Sequence, residues 1–203
     1  MSIFAQEGKL ARFLNRLGDL IWLNVLTMVF CIPVVTAGAA VTAMYQVSLR
    51  MVKNEEGKIG ASFLQGFKEN FRQSTLIWLI GGGISAFLAL DIRLLGQVSY
   101  SFVRSYKILL FVLLLFVLMF TVFALVTAAR FENTLKNTLK NGILFCVSHI
   151  FKSLLMFAVM AGPLLLLAAS NRFLSVIVLM GVSGPGYLCS VYFRALFQDF
   201  EGE

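Results

Sequence analysis

The sequence has few charged residues: Asp, Glu, Lys and Arg make up 13% of its 203 residues, against about 25% in ordinary soluble domains. The longest polar stretch, Arg50 to Gln73, is too short for a separate soluble catalytic domain. The 3 cysteines lack C-x-x-C spacing and the chain has 1 histidine, which argues against a disulfide framework or a metal site. No Walker P-loop, H-E-x-x-H motif, G-x-S-x-G motif or carboxylate pair occurs, so we expect neither an enzyme nor a bound cofactor.

The sequence is instead rich in apolar residues, which make up 59% of the chain and give a mean hydropathy of +0.87. They occur in long blocks, and the block 108–129 contains no charged residue. A helix needs about 20 apolar residues to cross the hydrocarbon core of a bilayer. We therefore predict an all-α membrane protein with one transmembrane domain, residues 1–203, and hydrophobic segments at 20–49, 74–95, 108–129, 153–169 and 173–193.

The first hydrophobic segment, Leu20–Leu49, is unusual in length and composition. As one helix it would be about 45 Å long, too long for a straight crossing. It also contains Pro33, and proline kinks or ends helices because it lacks a backbone N–H. Two arrangements remain: one kinked span that crosses once, or a broken pair of short helices that returns to the side from which it enters.

The distribution of positive charge favours the returning arrangement. Residues 1–19 and 50–73 then share one side, and of the 17 Lys and Arg residues only Arg93, Arg104, Lys107 and Arg172 lie on the other. A single crossing divides the basic residues almost evenly, against the positive-inside rule. We expect a plasma-membrane protein with both termini in the cytoplasm. The net charge of +7 then indicates contact with anionic membrane lipids rather than with nucleic acid.

Three segments, 1–17, 62–73 and 132–152, are amphipathic at helical spacing and are predicted to lie on the membrane surface. In the last of them the apolar stripe is Leu135, Leu139, Ile143, Cys146 and Ile150. The second and third segments carry basic side chains at their polar positions. Together these predict a basic cytoplasmic interface formed by Lys68, Arg72, Lys136 and Lys140.

Small residues recur every fourth position in the segment 74–95. Such spacing lets two helix backbones approach closely in lipid. The residues are Gly81, Ser85 and Ala89 on one row and Gly82 and Ala86 on the next. The pattern has two interpretations: packing within the protein, or a docking face for a helix of another protein.

Three proline breaks are further candidates for function. A broken helix frees backbone N–H and C=O groups, and transporters use such groups to bind substrates; a simple packing kink is the alternative. The breaks comprise Pro33, Thr36 and Gly38, then Gly162 and Pro163, and then Gly184, Pro185 and Gly186. Asn24 and Thr27 are polar residues within the first segment and are candidates because polar groups in lipid are costly.

Several stretches of this sequence resemble the YesL-like proteins, small bacterial membrane proteins grouped as a domain of unknown function. The most specific stretch is Cys31-Ile32-Pro33-Val34-Val35-Thr36-Ala37-Gly38-Ala39-Ala40; the others are Gly8-Lys9-Leu10, Asp19-Leu20-Ile21 with Asn24, Phe67-Lys68 with Asn70-Phe71, and Ala129-Arg130-Phe131-Glu132. The resemblance implies about five hydrophobic segments and no established catalysis. Members are often encoded beside ABC importers for sugars.

We therefore expect a non-enzymatic accessory subunit of a carbohydrate or oligosaccharide ABC importer. Its partners would be membrane lipids, the permease subunits and their ATPase, and self-association is left open. An independent small-solute carrier or channel that uses the proline-broken helices is the alternative.

Overall fold

The computed structural model describes residues 3–55, 57–97, 101–131, 134–148, 150–169 and 180–201. Within these ranges the chain is helical and contains no strand, which confirms the predicted all-α fold. The helices are α1 (Ile3–Cys31), α2 (Ala37–Lys53), α3 (Ile59–Leu94), α4 (Ser101–Arg130), α5 (Leu135–Ser148), α6 (Ile150–Ala169) and α7 (Ser183–Glu201). Short 3-10 turns lie at Val34–Thr36 and Leu95–Gln97.

The first hydrophobic segment is broken at Pro33, as predicted. Helix α1 ends at Cys31, two residues before Pro33, whose own backbone is extended (φ −75°, ψ 111°); proline disfavours helical geometry in the residue before it. The chain then reverses direction. The guanidinium of Arg16, midway along α1, donates a 2.6 Å hydrogen bond to the amide oxygen of Asn54, just beyond the end of α2. Residues 16–54 thus form a helical hairpin.

Several helices are long and apolar enough to cross a membrane, so the chain is a multi-pass membrane protein. They are Phe13–Cys31, Ile59–Leu94 and Val103–Arg130. Helix α5 and the part of α6 from Ser153 to Pro163 are bent by 102° and would add a fourth crossing if the pair forms one span. Of the predicted span 173–193, residues 173–179 lie outside the described part of the chain, and 183–193 belong to α7.

Two of the predicted surface helices are continuous with the apolar segments that follow them. The described part of segment 1–17 runs without interruption into α1, and segment 62–73 runs into α3, a helix of 36 residues. No proline separates the polar and apolar parts, and helix growth is cooperative once begun. The change in polarity along α1 and α3 therefore marks a change in surroundings and not a break in the helix.

Helix α5 packs along α4. A Cβ placed on Gly142 would lie 3.1 Å from the Ala124 Cα. Of the predicted apolar stripe, Cys146 is buried and Leu135 and Leu139 pack against the cluster that includes Ala124, whereas Ile143 and Ile150 are exposed. Thr138 and Gly142 are also buried, and the apolar pattern did not predict them because neither is a large apolar residue.

Helix α2 lies at the centre of the bundle and contacts α1, α3, α4 and α7. Ala40, Ala43, Met44, Tyr45 and Val47 are all fully buried. The large apolar side chains that are exposed lie on outer helices, such as Phe87 on α3 and Leu109 on α4. This distribution suits a protein whose outer surface contacts lipid.

Candidate functional site

A polar cleft opens between α2, α3 and the end of α4. Its volume is about 610 Å³, within the usual range for small-molecule sites. Apolar residues such as Leu49, Ala128 and Phe131 form part of the lining. Its polar lining is Gln46, Arg50, Lys53, Glu55, Glu69, Asn70, Gln73 and Arg130.

Three cations reach the cleft from the ends of two helices. Arg50 and Lys53 belong to the last turn of α2, and Arg130 belongs to the last turn of α4. Basic residues are favourable at this position because the carbonyl end of a helix carries a partial negative charge. The fold brings both helix ends to the same cavity, so charges from distant parts of the sequence converge there.

The wall of the cleft formed by α2 and α3 is an amide network. Asn70 Nδ2 donates hydrogen bonds of 3.1 Å to Gln46 Oε1 and to the Gly66 carbonyl. Gln46 Nε2 in turn donates to Glu69 Oε2 at 3.4 Å, and Gln65 Nε2 donates to Glu69 Oε1 at 2.8 Å. Gly66 allows this arrangement because a Cβ there would collide with the Gln46 side chain.

The predicted basic interface lies outside the cleft. Lys68, Arg72, Lys136 and Lys140 are all exposed. Gln73 Nε2 donates a 2.6 Å hydrogen bond to Thr138 Oγ1, which joins α3 to α5 and places these four cations at one end of the bundle.

No pattern in the sequence predicted a binding site at this cleft. Its lining comes from residues 46–73 and 128–131, which no short motif links. One signal was present: Asn70 and Arg130 belong to stretches on which the family resemblance rests.

At the first break, side chains of the protein donate hydrogen bonds to backbone carbonyl groups. The single hydroxyl hydrogen of Thr36 is shared between the carbonyl oxygens of Phe30 and Pro33, which lie 2.7 Å and 2.9 Å from Thr36 Oγ1. Trp78 Nε1 of α3 donates to the Val34 carbonyl at 2.8 Å. Gly38 allows α3 to approach, because a Cβ there would lie 2.6 Å from the Ser74 carbonyl oxygen.

At the break 184–186, Asn24 of α1 accepts the hydrogen bonds at the start of α7. Its side-chain oxygen accepts bonds of 2.9 Å from the backbone N–H groups of Val182 and Ser183. The first turn of a helix has no internal partners for its N–H groups, so Pro185 costs no hydrogen bond there. Gly186 packs on Met44, whose Sδ would lie 2.6 Å from an added Cβ.

The remaining proline, Pro163, lies inside α6 and borders a second, apolar cavity of about 580 Å³. Gly184 and Pro185 line the same cavity, as do residues of α1. Arg16 lies at its edge, with its guanidinium carbon 6.0 Å from the centre of the Tyr187 ring. A Cβ on Gly162 would meet no atom within 4 Å, so this glycine is not required by packing among the described residues.

The small residues of α3 divide between an inner and an outer side. Gly81 and Ser85 are buried, and a Cβ on Gly81 would collide with Thr121 of α4. Ala89 is half-buried. Gly82 is also half-buried, but a Cβ there or on Gly83 would meet no atom within 4 Å, and Ala86 is exposed. Gly81 and Ser85 thus serve internal packing, while Gly82, Gly83 and Ala86 lie towards the surroundings.

Residues 20–92 match the model of a family described as a protein of unknown function, DUF624. The matched range contains most of the helical hairpin, most of α3 and the amide wall of the cleft. The more specific resemblance to the YesL-like proteins stays a prediction. No curated protein and no solved structure matches the chain.

Proposed function

We propose that this protein is a non-enzymatic membrane subunit that associates with a carbohydrate ABC importer and contacts a permease helix through the outer side of α3. The observation that carries the proposal is a notch in the apolar surface of α3. Gly83 and Ala86 lie between Leu79 and Leu90, which are 47% and 55% exposed. Helices in lipid associate where small residues let backbones approach, so a notch between large side chains suits another helix.

The hydrogen bonding at two of the breaks supports a partner role over transport through them. Thr36 and Trp78 bind carbonyl groups at the first break, and Asn24 binds N–H groups at the start of α7. In transporters such groups bind the substrate. Here the protein's own side chains already occupy them, so the breaks serve packing.

The identity of the partner rests on the family resemblance, whose members are often encoded beside sugar importers. The association is tested by mild extraction of the tagged protein from its native membrane, followed by identification of co-purifying proteins. The proposal predicts permease and ATPase subunits in fixed ratio.

The double variant Gly83→Leu/Ala86→Leu fills the notch and should abolish this co-purification while leaving the protein folded. The control for the Ala86→Leu change is Ala158→Leu, which adds the same bulk as that single change at an exposed position of α6. If both variants retain the partners equally, the notch is not the surface that contacts them. Absence of importer subunits from the unaltered protein, together with normal sugar uptake after gene deletion, would contradict the proposal itself.

The polar cleft favours a second candidate function, an independent small-solute carrier. Its volume and its mixed charged and amide lining resemble those of a binding site for a polar solute. Purified protein in liposomes should then transport a sugar or an ion, and Asn70→Ala should slow the flux. Liposomes that remain impermeable to both would eliminate this candidate.

A further inference from the structure

We infer that the polar cleft binds a phosphate ester that carries hydroxyl groups. The cleft has two chemically different sides, one cationic and one formed by amides and a carboxylate. Such a ligand matches both sides at once. This inference is independent of the importer partner and concerns a different part of the molecule from the notch on α3.

The cationic side suits a phosphate group. Arg50 and Lys53 are three residues apart on α2, so their side chains project from the same side of that helix. Arg130 lines the same cavity from α4. Guanidinium groups make charge-assisted hydrogen bonds to phosphate especially well, and the three cations reach the cavity from two helix ends.

The part of the cleft lined by Gln46 of α2 and by Glu69 and Asn70 of α3 suits hydroxyl groups. Glu69, Gln46 and Asn70 present carboxylate and amide groups held in place by their mutual hydrogen bonds. A hydroxyl group both donates and accepts hydrogen bonds, as this mixed surface requires. A bare anion would meet Glu69 and Glu55 without compensation, whereas a hydroxyl can donate to these carboxylates.

The cleft is long enough to accommodate such a ligand. Gln46 lies seven residues before Lys53, which is about 10 Å along α2, and both line the cavity. The same chemistry has two sources: the headgroup of an anionic glycerophospholipid, or a soluble sugar or polyol phosphate. Basic pockets between membrane helices are known to take lipid headgroups, so both sources enter the test.

The test measures binding to the full-length, delipidated protein in a neutral detergent. The probes are short-chain phosphatidylglycerol, short-chain phosphatidylcholine, glycerol 3-phosphate and methyl phosphate. Saturable binding of phosphatidylglycerol alone supports a lipid headgroup, and binding of glycerol 3-phosphate as well supports a soluble ester. In both cases the hydroxylated ester should bind more tightly than its counterpart without hydroxyls. Binding no tighter than that of phosphatidylcholine or methyl phosphate would overturn the inference.

Charge variants separate the cleft from the general basic surface. Arg50→Gln/Lys53→Gln should weaken binding about tenfold or more, since hydrogen bonds to charged groups are lost. Lys68→Gln/Arg72→Gln removes the same charge from exposed positions outside the cleft and should change the affinity less than about twofold. An equal loss in both variants would show non-specific electrostatic attraction and would overturn the inference.

A third variant separates an effect on the ligand from an effect of misfolding, because it is expected to increase the affinity. Glu69→Gln removes a negative charge from the cleft and keeps one oxygen, so that one of the two donors, Gln46 and Gln65, retains its acceptor. Methyl phosphate has no hydroxyl group to donate to Glu69, and it should bind this variant about threefold tighter because the repulsion between the carboxylate and the anion disappears. Misfolding cannot produce tighter binding. An unchanged or weaker affinity for methyl phosphate would contradict the proposed position of the ligand.

Discussion

Helices α2 and α4 are both essential to the bundle, yet they have opposite relations to their surroundings. Helix α4 holds the most apolar of the three single-helix candidate spans, and several of its large side chains, such as Leu109 and Val112, are more than half exposed. Helix α2 has a modest apolar content but is almost wholly buried by its neighbours. High hydropathy in a membrane protein therefore reports contact with lipid, while the packed centre is marked by small residues.

The comparison predicts that added bulk is harmful on α2 and harmless on the outer surface. Gly38→Leu should cost about 4 kcal/mol of unfolding free energy, because the side chain would collide with the Ser74 backbone and with Trp78. Unfolding of the purified protein by titration with a denaturing detergent measures the change. Gly83→Leu, where an added Cβ meets no atom within 4 Å, is the control and should leave the midpoint unchanged. Similar losses in both variants would contradict the central position of α2.

Truncation of large side chains sharpens the same contrast. Met44→Ala on α2 should cost about 3 kcal/mol, since it leaves a cavity among fully buried residues. Leu109→Ala on α4, at a position 62% exposed, should cost less than about 1 kcal/mol because no cavity forms. Thermal unfolding in micelles compares the two, and a larger loss for Leu109→Ala would reverse our assignment of core and surface.

A polar contact also holds the hairpin to its neighbours. Asn24→Ala should cost about 2 kcal/mol, because the N–H groups of Val182 and Ser183 lose their acceptor in a buried place. Thr27→Val on the same helix is the control: the Thr27 hydroxyl donates only to the Leu23 carbonyl one turn earlier, so its removal should cost under about 0.5 kcal/mol. Hydrogen exchange at the Ser183 amide should rise in the first variant alone.

The smallest expected effect concerns the indole at the first break. Trp78→Phe removes the 2.8 Å hydrogen bond to the Val34 carbonyl and should cost about 1 kcal/mol. Trp22→Phe, at a position 53% exposed, should have almost no effect on the detergent midpoint. A null result for Trp78→Phe would mean that the Ala37 backbone N–H, which also donates to the Val34 carbonyl, suffices for this group.

Much of the fold could be predicted because lipid imposes simple rules on sequence. Uncharged blocks indicated the spans of α3 and α4, and Pro33 indicated the end of α1, since both signals are local. The two surface segments that continue into α1 and α3 were harder to place, because a change in polarity does not require a break in the helix. The inner and outer sides of the triple glycine 81–83 were also undetermined, since adjacent glycines look alike until a neighbour such as Thr121 covers one of them.

The amino-acid sequence by itself determined that this is a helical membrane protein whose first hydrophobic segment breaks at Pro33. Each of these features depends on the hydropathy or the backbone chemistry of neighbouring residues. Only the tertiary structure decided that Asn24 binds the start of α7, that Gly38 admits Trp78, and that Arg50, Lys53 and Arg130 share a cleft with Asn70. These contacts join residues from 40 to more than 150 positions apart, or place them on one cavity. Their pairing depends on how the helices pack, which no local pattern records.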